Sequence, residues 1–358
     1  MNAHRTQRLV SLGALVVGLV LFAVTVYFFD FTQAFAAGRR MAVAIALALL
    51  ATGAAHLIRT WAWAWCFAHP RAVPFARLVR VRLAGEALSY LTISSLAGDP
   101  LKVVLLGDRV AARDASAAVA LERIFFIVGT AFIVGIGAMV ALATQPLAPV
   151  WITVYKSFAI GSGLIAAAIA LVLIRRDSYL LAALRAFDRS TGTQIVSGRV
   201  GRFIVGVGRQ LLELVQGDRR RLFVLAVSTT AVYASSAAEI WLVVHAVGVP
   251  MSFTSAIAVE TFTRVISFAS TFIPANIGAL EASAFAAAAA VGITAGGAPL
   301  ALARRARGIF WAGLGLAIYP RRAGRGAPEA EHQESGPTDP RGEAFRRGAN
   351  RRCVMESR

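Results

Sequence analysis

Long apolar stretches recur along the chain, divided by short segments where polar and basic residues collect. Residues 9–29 carry no charge, and similar runs follow at 41–58, 124–144, 151–174 (interrupted by Lys156), 222–247 (holding Glu239 and His245) and 277–298. At about 1.5 Å per residue, a run of some 20 residues crosses the ~30 Å of bilayer hydrocarbon. More polar-tinged stretches at 253–272 and 299–319 extend the pattern. The pattern predicts an all-α fold, a polytopic transmembrane helix bundle of about eight crossings.

Two segments interrupt it with proline, glycine and polar residues. One is Ser94-Ser95-Leu96-Ala97-Gly98-Asp99-Pro100-Leu101-Lys102, the other Phe272-Ile273-Pro274-Ala275-Asn276-Ile277-Gly278-Ala279-Leu280-Glu281. Freed backbone N–H and C=O groups find no partner in lipid, so such breaks survive only where they line a cavity or lie buried in protein. One break in each half of the chain points to two pseudo-repeated halves with broken or re-entrant segments meeting at a transporter-like site. Gly98, Pro100, Pro274 and Gly278 are the backbone breakers.

Composition agrees: 57% of the 358 residues are hydrophobic, and the mean hydropathy is +0.65. The net charge of +18 raises the possibility of nucleic acid, but its placement argues against that partner. Arg71, Arg77, Arg80 and Arg82 follow the second run, and a basic loop extends from Arg175 and Arg176 to Arg219, Arg220 and Arg221, whereas 145–150 and 248–252 are uncharged. Basic loops alternating with neutral ones are what the positive-inside bias produces, and basic loops gain further from anionic lipid. The expected path has both termini cytoplasmic in a bacterial inner membrane. Arg39 and Arg40, placed outside by this path, are an exception to a statistical rule. Arg5, Arg8 and Ala34-Phe35-Ala36 resemble a secretory signal, but the apolar run is too long for a signal core, so it is kept as the first crossing.

The basic loop 175–221 holds a segment, 196–216, in which Val200, Phe203, Ile204, Val207, Leu211, Leu214 and Val215 recur at helical spacing between arginines. It reads as a basic amphipathic helix at the membrane surface or as a soluble helix packed on its neighbours. Residues 320–358, rich in Arg, Gly, Pro, Glu and Ser, read as a disordered cytoplasmic tail beyond a membrane domain of residues 1–319. Trp61, Trp63 and Trp65 read as an interfacial belt. His56 and His245 read as packed interior residues, and Cys66 and Cys353 suggest neither a disulfide framework nor a metal site.

Charged residues flank both breaks: Glu86, Asp99, Lys102, Glu122 and Arg123 around the first, Glu260, Arg264 and Glu281 around the second, with Arg304, Arg305 and Arg307 beyond. A charge at membrane depth costs about 2.5–3.5 kcal/mol even on the lenient scale, so such residues face a bundle interior and pair. Glu260 and Arg264 share a helix face in the favourable acid-first order. With Asn276, these residues up to Glu281 are the candidate substrate path; the alternative is a set of intra-bundle ion pairs.

At these positions the chain resembles the flippase-like family named for the transmembrane region of lysylphosphatidylglycerol synthase. The resemblance rests on Arg59-Thr60-Trp61, Glu86, Gly98-Asp99-Pro100-Leu101-Lys102 with Leu105-Leu106, Ala120-Leu121-Glu122-Arg123, the 274–281 segment and 304–315. Where family members read Pro-Gly-Gly-x-Gly at the second break, Ala275 and Asn276 stand in place of the two glycines. The resemblance implies an integral membrane protein that moves, or helps to place, a polar lipid between leaflets, with membrane lipids as partners; no cofactor or metal is expected, since no CxxC or His/Cys cluster occurs. No GxxxxGK[ST] loop supports ATP-driven pumping. The rival classes are a non-transporting scaffold for a lipid-modifying partner enzyme and a membrane-embedded transferase. For the transferase neither loop 175–221 nor the tail is large enough to supply a catalytic domain, so no enzymatic activity is expected.

Overall fold

A computed structural model describes residues 38–67, 72–92, 98–175 and 219–318. Nine α-helices and no strand occur among them. They are α1 (Arg39–Ala64), α2 (Phe75–Leu91), α3 (Gly98–Leu106), α4 (Ala112–Thr144), α5 (Pro149–Arg175), α6 (Arg219–Ala246), α7 (Phe253–Ala269), α8 (Ala279–Ala290) and α9 (Thr294–Ala317). A short 3₁₀ turn, Pro274–Asn276, lies between α7 and α8. The run at 9–29, the segment 196–216 and the tail 320–358 lie outside the described residues.

Among the described residues, four helices are long and apolar enough to cross a membrane: α1, α4, α6 and the Pro149–Ala168 part of α5. Their outward faces carry bare aliphatic and aromatic side chains, with Leu50, Ile136, Met139, Leu164 and Phe223 between 62% and 71% exposed. Charged and hydroxyl side chains such as Glu239, Glu260, Arg82 and Thr261 are buried instead. Water would reverse that arrangement; hydrocarbon favours it. The structure is a helical membrane bundle.

The two breaks set short helices beside long ones. The 17 residues of α7 reach only about 26 Å and the 12 of α8 about 18 Å, each less than the hydrocarbon thickness. The stretches expected to form two separate passes, 253–272 and 277–291, are therefore the unequal arms of one helical hairpin. The 17-residue α2 and nine-residue α3 make the corresponding hairpin in the first half.

The halves repeat. Each opens with a long helix (α1, α6), continues through a hairpin (α2–α3, α7–α8) and closes with another long helix (α4, α9). The packing repeats with it: α1 lies on α6, α9 packs on α2 as α4 packs on α7, and α9 meets α1 as α4 meets α6. The α1–α6 seam is antiparallel. Arg221 at the start of α6 donates to the Phe67 carbonyl beyond the end of α1 (3.4 Å), and Ser235 donates to the Ala51 carbonyl midway (3.1 Å). At the far end Gly248 lies against the Arg40 side chain. The two halves are thus inverted relative to each other, the arrangement found in many transporters. Ala44 and Ala48 let the seam close, packing in one cluster with Ile240, Val243 and Val244.

Helix α5 stands outside the repeat and braces α4 and α7. Trp151 and Phe158 pack on Phe262, and the Tyr155 hydroxyl donates to the Ala258 carbonyl at 3.0 Å. Only part of the expected tryptophan belt faces outward. Trp61 is exposed, but Trp63 is buried in the cluster formed with Phe67, Leu78 and Leu106, because it lies on the face of α1 turned to α2 and α3.

Because α6 crosses the bilayer, reporter fusions after Gln216 and after Gly248 are expected to signal from opposite faces of the membrane. Signals from one face would overturn the crossing.

Candidate functional site

The polar interior is built from two clusters that occupy matching positions of the two halves. Arg59 and Glu239 are each the 21st residue of their helix, α1 and α6. Arg82 and Glu260 are each the eighth residue of α2 and α7, and Glu86 and Arg264 each the twelfth. Glu122 and Arg304 are each the eleventh residue of α4 and α9. At all four pairs of positions the charge is reversed between the halves.

Each cluster is held together by ion pairs. In the first half Glu122 accepts from Arg82 at 3.1 Å and from Arg59 at 3.2 Å, while Glu86 stands 3.5 Å from Arg82, 3.6 Å from Lys102 and 3.7 Å from Arg59. In the second half Glu260 accepts from Arg304 at 2.7 Å and from Arg264 one helical turn away. Reversing both members of a buried pair preserves their attraction, whereas reversing one would bury like charges together. The inverted repeat therefore tolerates the exchange only as whole pairs.

A second set of positions keeps its sign. Arg123 and Arg305 are each the twelfth residue of α4 and α9, and each reaches an acid in the first turn of its half's short helix. Arg123 lies 3.9 Å from Asp99, and the Arg305 Nε donates to Glu281 at 2.6 Å. Asp99 is also bound by Lys102 at 2.9 Å. The acids suit those places because a helix N-terminus favours negative charge. Glu281 in addition accepts the backbone N–H of Gly278 at 2.9 Å, closing the start of α8.

The second break is held in a conformation that glycine adopts freely. Ala275 and Asn276 have φ of 52° and 48°, and Gly278 has φ of 79°. Asn276 tolerates the left-handed region, and its side chain donates to Ser267 Oγ at 2.9 Å. The Ala275 carbonyl accepts from Arg305 at 3.2 Å, and the same guanidinium donates to the Tyr90 hydroxyl at 3.0 Å. The break is thereby fastened across the molecule to α2. In the first half, Gly85 and Gly98 let α3 lie directly on α2: a Cβ on Gly98 would collide with the Gly85 carbonyl and with Ser89.

Between the halves lies a cavity of about 400 Å³, bounded by α1, α2, α6, α7, α9 and the 273–276 turn, with Phe126 of α4 and Leu280 of α8 at its wall. Four guanidinium groups, those of Arg59, Arg264, Arg304 and Arg307, line it against two carboxylates, Glu86 and Glu239. Arg307 pairs with Glu239 and donates to Thr52 at 3.0 Å, and Thr52 donates to Glu239 at 3.2 Å. Buried polar atoms of four lining residues have no protein partner: Arg59 Nε, Arg304 Nε, Trp311 Nε1 and Glu239 Oε1. The excess of guanidinium groups over carboxylates in the lining suits an anion with several acceptor oxygens, such as a phosphate ester.

Of the residues expected to form the path, Glu86, Arg264 and Asn276 line this cavity. Asp99, Lys102, Arg123, Glu260 and Glu281 stand behind it as ion-pair partners, and Lys102, Glu260 and Glu281 are buried. Glu122 faces a separate small chamber. Of the four backbone breakers none is among the lining residues, which at the second break are Ile273, Ala275 and Asn276. Thr92, beside the first break, lines the same cavity, while residues 94–97 lie outside the described residues.

Sequence reasoning passed over His56, Glu239, Arg304, Arg307 and Trp311 as lining residues. His56 meets Trp311 edge-on at 5.1 Å inside the cavity rather than packing in an apolar core. The matching register of Arg59 and Glu239, or of Glu122 and Arg304, is a signal that could have found them, but it emerges only once the helix starts are known.

A family model described as the lysylphosphatidylglycerol synthase TM region matches residues 11–315. No curated protein and no solved structure matches the chain.

Replacing Glu260 by Gln leaves Arg304 buried without a full countercharge, a change expected to cost about 3–5 kcal/mol. Thermal unfolding in detergent measures it, and a loss below ~1 kcal/mol would show that Glu260 does not hold the cluster. Ala275→Gly relieves left-handed strain of about 1–2 kcal/mol at a glycine entropy cost of about 0.5–1 kcal/mol, so the same assay should register a small gain in stability. A loss would mean that the Ala275 methyl group contributes packing that outweighs its strain.

Proposed function

Because the chain belongs to the family of the lysylphosphatidylglycerol synthase TM region, we propose that it carries the head group of a polar, phosphate-bearing lipid from one leaflet to the other. The observation that supports this reading is the cavity between inverted halves, with four guanidinium groups against two carboxylates. A phosphate in hydrocarbon has lost its hydration, and a path for it must supply fixed donors and opposite charge in exchange. Arg264 and Arg307 meet the phosphate oxygens, their partners Glu260 and Glu239 offset those cations when the cavity is empty, and the acyl tails remain in the bilayer.

On this reading the chain performs no covalent chemistry and hydrolyses no nucleotide; movement is facilitated or coupled to an ion. It sits in a bacterial cytoplasmic membrane with both termini on the cytoplasmic side. Its partners are membrane lipids, with a lipid-modifying enzyme as a further candidate.

Arg264 offers the sharpest test. It lines the cavity and donates to Ser236 at 3.0 Å, while its acid partner Glu260 is also held by Arg304. Arg264→Gln should therefore leave folding near normal and lower lipid movement at least about tenfold in proteoliposomes reporting leaflet exposure of a labelled phosphatidylglycerol. A folded variant that moves lipid at the original rate would exclude Arg264 from the path. Wild-type protein that moves no lipid would favour the scaffold reading.

A further inference from the structure

The inverted repeat should carry a second chamber matching the open cavity, and the structure contains one that is shut. It has a volume of only about 10 Å³ and is lined by Glu122, Phe125, Ser228 and Thr229 together with Arg59, Phe126 and Val232. The last three also line the open cavity, so they form the wall between the two spaces. That wall is well defined. The Arg59 guanidinium stacks 4.1 Å from the Phe126 ring centroid and is tied to Glu122 on the far side at 3.2 Å.

Register places different residues at the matching positions of the two sides. Phe126 and Gly308 are each the fifteenth residue of their helix, α4 and α9. On the α4 side the Phe126 ring stands in the wall, whereas on the α9 side Gly308 carries no side chain and the Tyr90 ring of α2 packs against it, its hydroxyl 2.8 Å from where a Cβ would lie. Three residues further on, Gly129 brings α4 close against α6: a Cβ built there would lie 2.8 Å from Thr229 Cγ2 and 3.4 Å from Thr229 Cβ. The wall is mostly apolar but includes the Glu122 carboxylate and the Ser228 and Thr229 hydroxyls, which donate to the Val224 and Leu225 carbonyls of their own helix.

We infer that this shut chamber is the second half of the head-group path and that Arg59 stacked on Phe126 is the gate between it and the open cavity. The inference rests on the transport reading above. In the alternate state α4 parts from α6, Arg59 leaves Phe126, and the chamber opens to the opposite face while the α9 side closes over Gly308. Inverted halves make such an exchange possible because each can adopt the packing of the other. The reversed charges travel with it: an arginine, Arg59, guards the shut side, and Glu239 occupies the matching place on the open side.

The test uses the full chain in vesicles of phosphatidylcholine and phosphatidylglycerol, with acyl-labelled phosphatidylglycerol as probe and both Cys66 and Cys353 replaced by Ser. Gly129→Cys with Thr229→Cys removes the crowding Cγ2 and puts the two Cβ atoms near disulfide distance. Oxidation should slow lipid movement about tenfold, and reduction should restore it. Equal rates before and after oxidation overturn the gate. If the reduced protein moves no lipid at all, the transport reading fails and the gate falls with it.

Phe126→Ala, which removes the ring from the wall, should raise the rate about threefold, and an unchanged or lower rate speaks against the gate. Single variants serve if the double variant does not fold. Thr229 and Ser236, seven residues apart on one face of α6, line the shut and open spaces respectively. Thr229→Cys and Ser236→Cys should react with a membrane-impermeant maleimide from opposite faces. Reaction from the same face, or none at Thr229→Cys, overturns the assignment.

Discussion

A charge placed inside hydrocarbon must meet its opposite, and the rest of this structure depends on that constraint. Arg82, Lys102, Glu239, Glu260 and Arg304 are all at most 4% exposed, and each finds a partner on another helix or one turn away. Buried pairs contribute little net stability against an apolar alternative, yet breaking one costs several kcal/mol. They therefore act as specificity devices: a helix slid by one residue would turn its charge away from its partner. Among helices whose apolar faces are interchangeable against lipid, the ion pairs fix the register of α1, α2 and α4 in one half and of α6, α7 and α9 in the other.

The same constraint shapes the inverted repeat. Apolar residues can drift independently after a duplication, but a buried charge can change sign only together with its partner. The exchange of Arg82–Glu122 for Glu260–Arg304 preserves each pair while reversing the field on its side of the seam. The positions that keep their sign, Asp99 with Arg123 and Glu281 with Arg305, are tied to helix N-termini, where backbone N–H groups favour an acid whichever half it belongs to. Charge is free to invert where only a side-chain partner sets it, and is held where the backbone also has a preference.

The breaks serve the cavity by being short. A full crossing at α7 or α8 would seal the space between α1, α6 and α9 with apolar side chains. Ending those helices in mid-bundle instead presents the 273–276 turn, with Asn276, to the interior. The cost is a strained Ala275, which the Arg305 guanidinium stabilises by binding its carbonyl.

Hydropathy alone determined the class of molecule, because an apolar, charge-poor run long enough to cross a bilayer has few soluble uses; four such helices occur among the described residues. Proline and glycine in apolar sequence marked the two breaks, since unpaired backbone polar groups are intolerable in lipid. The acid-first spacing of Glu260 and Arg264 foretold their pairing, an interaction local to one helix. Most of the rest was decided only in three dimensions. Whether an intramembrane charge faces a cavity or a partner depends on which helices meet around it, and those contacts join residues as distant as Tyr90 and Arg305. So Glu260, chosen from sequence as a lining residue, is a buried anchor, while Arg307 and His56 reach the open space. The reversal of charge between the halves was written in the residues throughout, but helix packing alone aligned the positions that reveal it.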